Sequence, residues 1–125
     1  GAALIVDYGD WRSLGDTLQA LRGHRHDDPL AHPGQADLTA HVDFEALAAA
    51  TAVVAHSRLT PQGVFLNRLG LAERADVLAA SLSGAALESH RAAYRRLTLP
   101  DEMGSLFKAF GLHPKGARPL AGLEP

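Results

Sequence analysis

The carboxylate best placed for chemistry follows the first apolar segment of the chain. Residues 2–8 (AALIVDY) are apolar up to Asp7, and Gly9 closes the run. Such a run is typical of a fully buried strand, and open α/β sheets bind ligands outside the carboxyl ends of their strands. The pattern therefore predicts that Asp7 points into a crevice. A second interpretation carries equal weight: Asp7 is a turn residue that accepts hydrogen bonds from the next backbone N–H groups.

A second polar cluster lies in the segment DLTAHVDF. Alternation with period two would bring Asp37, Thr39, His41 and Asp43 to one face of a strand. Polar side chains that line a cleft are candidates for binding or catalysis. Helix capping by Asp43, together with hydrogen bonds in a loop, would explain the same cluster without any chemistry.

The segment HRHDD carries the side-chain types that bind divalent metals, at His24, His26, Asp27 and Asp28. Specific metal sites need ligands held by an ordered framework, which four residues of one short loop seldom provide. We therefore expect a solvated polar loop and no metal.

Several familiar site motifs are missing from the sequence. It contains neither a GxGxxG turn nor a GxxxxGK[ST] loop, so no phosphate or dinucleotide cradle is predicted. It also lacks the GxSxG and HExxH motifs. The absence of cysteine excludes disulfides, thiolate zinc sites and cysteine nucleophiles.

The elements that must position these residues alternate between strands and helices. The pattern predicts strands over 2–8, 16–22, 52–58 and 105–112, a loop over 23–36, a helix over 44–50 capped by Asp43, a helix from Pro61 to Gly70, and helices over 71–81 and 85–97. This order indicates an α/β chain with about three core strands. Gln62, which follows a turn, could tie down loop backbone or reach a bound partner.

Composition narrows the class of protein further. The 125 residues, 46% hydrophobic and 21% charged, suit one globular domain. The net charge of −2 gives no electrostatic reason to expect nucleic acid or an anionic membrane surface as a partner. No apolar run is long enough to span a bilayer, and no signal peptide is visible, so we expect a cytoplasmic protein.

Five segments resemble one family, in the same order along the chain. They are LIVDYG (4–9), GDTLQALRGH (15–24), PGxxDLTAHVDF (33–44), TxQGxFL (60–66) and MGSLFKAF (103–110). The family is the mitochondrial dysfunction protein A family of S-adenosylmethionine-dependent protein arginine methyltransferases. The resemblance implies that residues 1–125 are a single segment, the C-terminal half of a class I, Rossmann-like methyltransferase fold.

The resemblance also implies how the function is divided. The cofactor, S-adenosyl-L-methionine, would be bound by an N-terminal half that lies upstream and is absent from this chain, which alone would be inactive. The partners would be that N-terminal half and a protein substrate methylated on arginine. A homodimer is a further expectation, because half a sheet exposes a strand edge. In a eukaryote the compartment would be the mitochondrial matrix.

Individual residues match the family motifs. Asp7, Tyr8 and Gly9 match D-Y-G; Asp37, Leu38, Thr39, Val42, Asp43 and Phe44 match D-L-T-x-x-V-D-F; Gln62 and Phe65 match T-x-Q-x-x-F-L. The resemblance places the first two motifs on the substrate side of the cleft, with Asp7, Tyr8, Asp37, Thr39 and Asp43 as candidates. It assigns a catalytic step to none of them. The alternative function is a non-catalytic α/β protein-interaction module, which would fold alone with closed sheet edges.

Overall fold

The structure, a computed structural model, describes residues 1–123 of the chain. Its strands are β1 (Ala3–Asp10), β2 (Gln19–Arg22), β3 (Arg25–Asp27), β4 (Asp37–Thr39), β5 (Val42–Asp43), β6 (Ala55–His56), β7 (Thr60–Pro61) and β8 (Phe107–His113). Its helices are α1 (Phe44–Ala50), α2 (Gln62–Arg68), α3 (Leu71–Ala79), α4 (Gly84–Thr98) and α5 (Met103–Leu106). The α/β fold class is thereby confirmed.

The main sheet is built around the pairing of the first and last strands. Its order is β5-β1-β8-β6, and β7 also pairs with β8. β1 runs antiparallel to β8, from Ala3 opposite Leu112 to Tyr8 opposite Phe107, and parallel to β5 only at Gly9 and Asp10. A separate small sheet has the order β3-β2-β4. The carboxyl end of β1 therefore adjoins the start of both β8 and α1.

The core lies on both faces of the main sheet. Neighbouring residues of a strand point to opposite faces, so Phe110 and Ala109 of β8 belong to different clusters. Phe110 packs with Phe44 and Ala48 of α1. Ala109 packs with Phe65 of α2 and with Leu123 near the C-terminus. Helices α1 and α2 thus cover opposite faces.

The expectation that the first strand is fully buried is wrong. Leu4 and Val6 are 47% and 42% exposed. Val6 lies opposite Ala109, and Leu4 is two residues before Val6 on the same face of β1. Both side chains therefore belong to the face of the sheet that α2 covers. Because α2 packs against β8, this face of β1 stays partly open among the described residues.

Several predicted boundaries also need correction. The strand expected over 16–22 begins only at Gln19, and the strand expected over 52–58 is limited to Ala55–His56. The first two residues of the strand expected over 105–112 belong instead to the end of α5. The loop expected over 23–36 contains β3, because Gly23 and His24 both have positive φ, 57° and 61°, and close a tight β2–β3 hairpin. The helix expected to end at Gly70 ends at Arg68, and Gly70 instead precedes α3.

Helices α3 and α4 form a hairpin beside the sheet. The ring of His90 in α4 hydrogen-bonds through Nε2 to the Ala75 carbonyl of α3 at 2.9 Å. Neither helix has a buried residue. Over the part of the chain that the structure describes, no helix has both the length and the apolar character needed to cross a membrane.

Candidate functional site

A groove of about 530 Å³ opens at the carboxyl end of β1. One wall is formed by Gly9, Asp10 and His41, and the other by the turn at residues 100–102 and by α5. This is the edge at which open α/β sheets bind ligands. The groove is therefore the candidate functional site.

Glycine is required where the first wall begins. Gly9 has φ of 154°, and a Cβ added there would collide with the carbonyl oxygen of Val42 and lie 2.7 Å from its nitrogen. The missing side chain lets β5 approach β1 closely. The D-Y-G segment thus joins two strands at the groove rather than leaving open space for a ligand.

The second wall is held by close backbone contacts. Gln62, at the start of α2, is buried and donates from Nε2 to the Leu97 carbonyl near the end of α4 at 3.0 Å. A Cβ on Gly63 or on Gly104 would collide with the Thr98 carbonyl. Gln62 therefore ties down backbone, which is one of the two roles that its position in the sequence left open.

Lys108, in β8, connects the two walls. Its half-buried ammonium group donates hydrogen bonds to the Gly9 carbonyl at 3.0 Å and to the Ser105 carbonyl at 2.7 Å. Gly9 belongs to the first wall and Ser105, in α5, to the second. No sequence pattern singles out this lysine, since its partners are backbone atoms brought together by the fold.

Asp7 and Tyr8 lie beside the groove without lining it. The Asp7 carboxylate accepts a hydrogen bond from the next backbone N–H, that of Tyr8, at 2.8 Å. Both residues lie within β1, so the turn expected as the alternative at Asp7 is not formed. The Tyr8 ring stands edge-on to Phe107 and His41, with centroid distances of 5.6 and 5.9 Å. The acidic residue of this strand that lines the groove is instead Asp10.

The polar cluster of the second motif does not form one strand face, so that expectation is wrong. Asp37 and Thr39 lie in β4 of the small sheet, whereas Asp43 belongs to β5 of the main sheet. Asp43 accepts hydrogen bonds from the Ala46 N–H at 2.8 Å and the Ser13 N–H at 3.3 Å. The prediction that Asp43 caps α1 is confirmed. His41 is the member of this cluster that reaches the groove.

A network that the sequence did not reveal fastens the segment after β1. The Glu45 carboxylate accepts hydrogen bonds from Arg12, at 2.6 Å from Nε and 2.9 Å from Nη2, and from the indole of Trp11 at 3.2 Å. The hydrogen bond from Arg12 is the main reason that the pKa of Glu45 is lowered, and burial opposes it. Because Arg12 and Glu45 are 33 residues apart, no local pattern links them.

The histidine-rich loop is organised by an ion pair. Asp27 bonds to Arg22 Nε at 2.9 Å and to His32 Nδ1 at 2.8 Å. Burial raises the pKa of Asp27, but the hydrogen bonds from Arg22, the Asp28 backbone and His32 together outweigh it and lower the pKa. Within residues 1–123, no group of three or more His, Cys, Asp or Glu side chains is arranged to hold a metal ion.

The comparison with known families identifies the kind of protein. A family model described as "Putative S-adenosyl-L-methionine-dependent methyltransferase" matches residues 1–63. The chain belongs to this methyltransferase family. The match includes β1, the small sheet, α1 and the start of α2.

Curated proteins that are similar in sequence to this chain are named as arginine methyltransferases. The chain is 38% identical over 117 residues to "Protein arginine methyltransferase NDUFAF7 homolog, mitochondrial" of Drosophila melanogaster, which covers 91% of the chain and 27% of that protein. The human protein arginine methyltransferase NDUFAF7, mitochondrial, is 36% identical over 116 residues, covering 91% of the chain and 26% of that protein. The chain thus spans about a quarter of the length of these relatives.

Two solved structures have the same fold as the chain. A Burkholderia thailandensis protein bound to S-adenosyl-homocysteine superposes with a TM-score of 0.72 and 29% sequence identity, covering all of this chain and 33% of that one. A second structure from the same organism gives a TM-score of 0.73 at 29% identity and covers 34% of that chain. These matches confirm the class I methyltransferase-like architecture.

The described residues do not themselves fit the cofactor of this family. The space beside Gly9 is filled by the Val42 backbone, and Gly15, Gly23 and Gly34 face open space at turns. A cofactor cradle needs backbone that approaches the ligand at glycine, and residues 1–123 show no such arrangement. No step through the cofactor is therefore derived from these residues.

Proposed function

We propose that the protein containing this chain is an S-adenosyl-L-methionine-dependent methyltransferase that methylates arginine on a protein substrate. The observation that carries the proposal for this chain is the acidic rim of the groove. Asp10, Asp101 and Glu102 are exposed around it, at the carboxyl end of β1. Carboxylates match the charge and the hydrogen-bonding fork of a guanidinium group.

The residues of the groove would bind and orient the arginine. Three carboxylates on the rim would partly neutralise the guanidinium charge, and the fixed walls would hold its nitrogen in one orientation. Asp7, Tyr8 and Asp43 would act from behind the walls by holding the backbone in place. Asp37 and Thr39, on the small sheet, would contact the substrate protein farther from the reacting nitrogen. The catalytic residue stays unassigned.

The cofactor would be held by a further part of the protein. We propose that an upstream N-terminal half supplies the site for S-adenosyl-L-methionine and packs against β1. The S-adenosyl-homocysteine bound in a related structure and the fraction of the relatives' length that this chain covers support this division. The partly exposed Leu4 and Val6 offer an apolar face for the contact. A homodimer remains a prediction.

The proposed compartment follows the relatives' names. Those relatives are named mitochondrial, which supports the mitochondrial matrix as the location in a eukaryotic cell. The expectation of a cytoplasmic protein has no support in these names. Family membership also favours the methyltransferase over the non-catalytic interaction module.

The test uses the whole protein, S-adenosylmethionine labelled on its methyl group, and two peptides that differ only in arginine or lysine. We expect label in the arginine peptide and methylarginine after acid hydrolysis. The double variant Asp101→Asn, Glu102→Gln should raise the KM for the arginine peptide about tenfold. Asp76→Asn, an acidic residue of α3 away from the groove, should leave KM unchanged. Label in the lysine peptide alone, or none, would reject the proposal.

A further inference from the structure

We propose that Lys108 is a positioning residue that sets the separation of the two walls of the groove and thereby its affinity for the substrate. The inference rests on the proposed function, because it concerns the same groove. It goes beyond that function by identifying the group that holds the site together.

The geometry around Lys108 supports this role. The ammonium group bonds simultaneously to the carbonyl of Gly9, where β1 ends, and to the carbonyl of Ser105, in the short helix α5. Gly9 and Lys108 are 99 residues apart in the chain. One side chain thus connects the first wall directly to the second.

The choice of acceptors is informative, because carboxylates lie close by. Asp7 is directly opposite Lys108 in the antiparallel register, so both side chains project from the same face of the sheet. No ion pair joins them within the described residues, and the ammonium bonds instead to two neutral carbonyls. The charged group therefore holds the backbone on each side of the groove. It forms no ion pair with the acidic residues of the rim.

The position of the carbonyls explains why a cation is needed. Ser105 lies in the single turn of α5, where carbonyl groups lack intrahelical partners. Gly9 lies in β1, immediately before the rim residue Asp10. Without the ammonium, both carbonyls lose this partner, and the rim carboxylates on the two walls lose their fixed spacing.

The experiment compares three variants of the whole protein. Lys108→Met removes the charge and keeps the length, Lys108→Arg keeps a donor able to reach two acceptors, and Lys115→Met alters the only other lysine of the sequence, which lies exposed beyond β8. We expect Lys108→Met to raise the KM for the arginine peptide about tenfold, with the dissociation constant of S-adenosylmethionine unchanged. Lys108→Arg should recover most of this loss, and Lys115→Met should equal the wild type.

This readout separates positioning from folding. A merely structural defect reduces the active fraction, which lowers the maximal rate and leaves KM unchanged. The proposal is overturned if KM in Lys108→Met stays within about twofold of the wild type. It is also overturned if cofactor affinity falls in parallel, or if Lys108→Arg behaves like Lys108→Met.

A second measurement decides the geometry even if arginine methylation is not found. Hydrogen exchange monitored by mass spectrometry should show faster exchange in Lys108→Met than in Lys115→Met, confined to peptides covering residues 9–12 and 99–106. Unchanged exchange in these peptides would overturn the role of Lys108. A wild type without transfer to arginine, combined with the expected exchange, would instead reject the proposed function and keep the connection between the walls.

Discussion

The Asp43 carboxylate connects a helix start to the end of a strand. One of its oxygens accepts from the Ala46 N–H and caps α1, while the other accepts from the Ser13 N–H. Ser13 follows β1 within a few residues, so the same side chain holds the segment that leaves the groove. A residue of a recognised motif can therefore serve a site without facing the substrate.

Glu45 should make the stability of the protein depend on pH. The hydrogen bonds from Arg12 lower its pKa in the folded state, so the pair stabilises the fold above the unfolded-state pKa and is lost as pH falls through the folded value. Glu45→Gln should lower the Tm near neutral pH, and the difference should shrink as the pH falls through the lowered folded-state pKa of Glu45 and vanish below it. Thermal melts in buffers spanning this range provide the measurement.

The matched control for Glu45 is Glu88→Gln in α4. Glu88 accepts a single bond from Arg91 at 3.2 Å, and both side chains are more than half exposed. Pairs of this kind contribute little, so its effect on Tm should be smaller than that of Glu45→Gln. A Tm difference for Glu45→Gln that is equal at both ends of the pH range would contradict the assigned ion pair.

The sequence predicts the local part of the site and misses the rest. Asp43 could be identified as a cap because its partner Ala46 lies three residues ahead. The bonds from Lys108 to Gly9 and from Arg12 to Glu45 join residues 99 and 33 positions apart. Such contacts depend on which strands pair, and no local propensity encodes that pairing.

At the scale of elements, the close approach of β1 and β5 gives a sharp prediction. Gly9→Ala should destabilise the protein by about 3 kcal/mol, because the added methyl group collides with the backbone of Val42 and strains a positive φ. Gly15→Ala is the control, since Gly15 has φ of 81° but faces open space. It should cost only about 1 kcal/mol. Urea unfolding measures both, and equal losses would rule out the close approach.

The helices were more predictable than the strands for a physical reason. Helix α1 matches its expected residues, 44–50, because Asp43 provides a local start signal. Strands β6 and β7 have two residues each and exist only through pairing with β8. Strand β3 was hidden in a polar stretch, since the hairpin turn uses His24 at positive φ, which is uncommon for a residue other than glycine.

At the scale of the whole molecule, β8 is the strand that connects the main sheet with the hydrophobic clusters on its two faces. It pairs with β1, β6 and β7, and it contributes Ala109 and Phe110 to the cores of the two faces. The same strand carries Lys108, so the group that spans the groove is anchored in the best-buried strand of the sheet. The site therefore depends on the long-range pairing of β8 with β1.

The C-terminal segment completes one of the two cores, which leads to a final prediction. Leu123 is 1% exposed and packs with Phe65 and Ala109, in a stretch that no sequence motif singled out. Leu123→Ala should destabilise the protein by about 3 kcal/mol, because it removes buried methyl groups and leaves a cavity. Leu14→Ala, at a residue 84% exposed, should change stability by less than about 0.5 kcal/mol. Urea unfolding of both variants provides the comparison. Similar values would mean that the segment around Leu123 does not pack on α2, and the face formed by Ala109 and Phe65 would then need another cover.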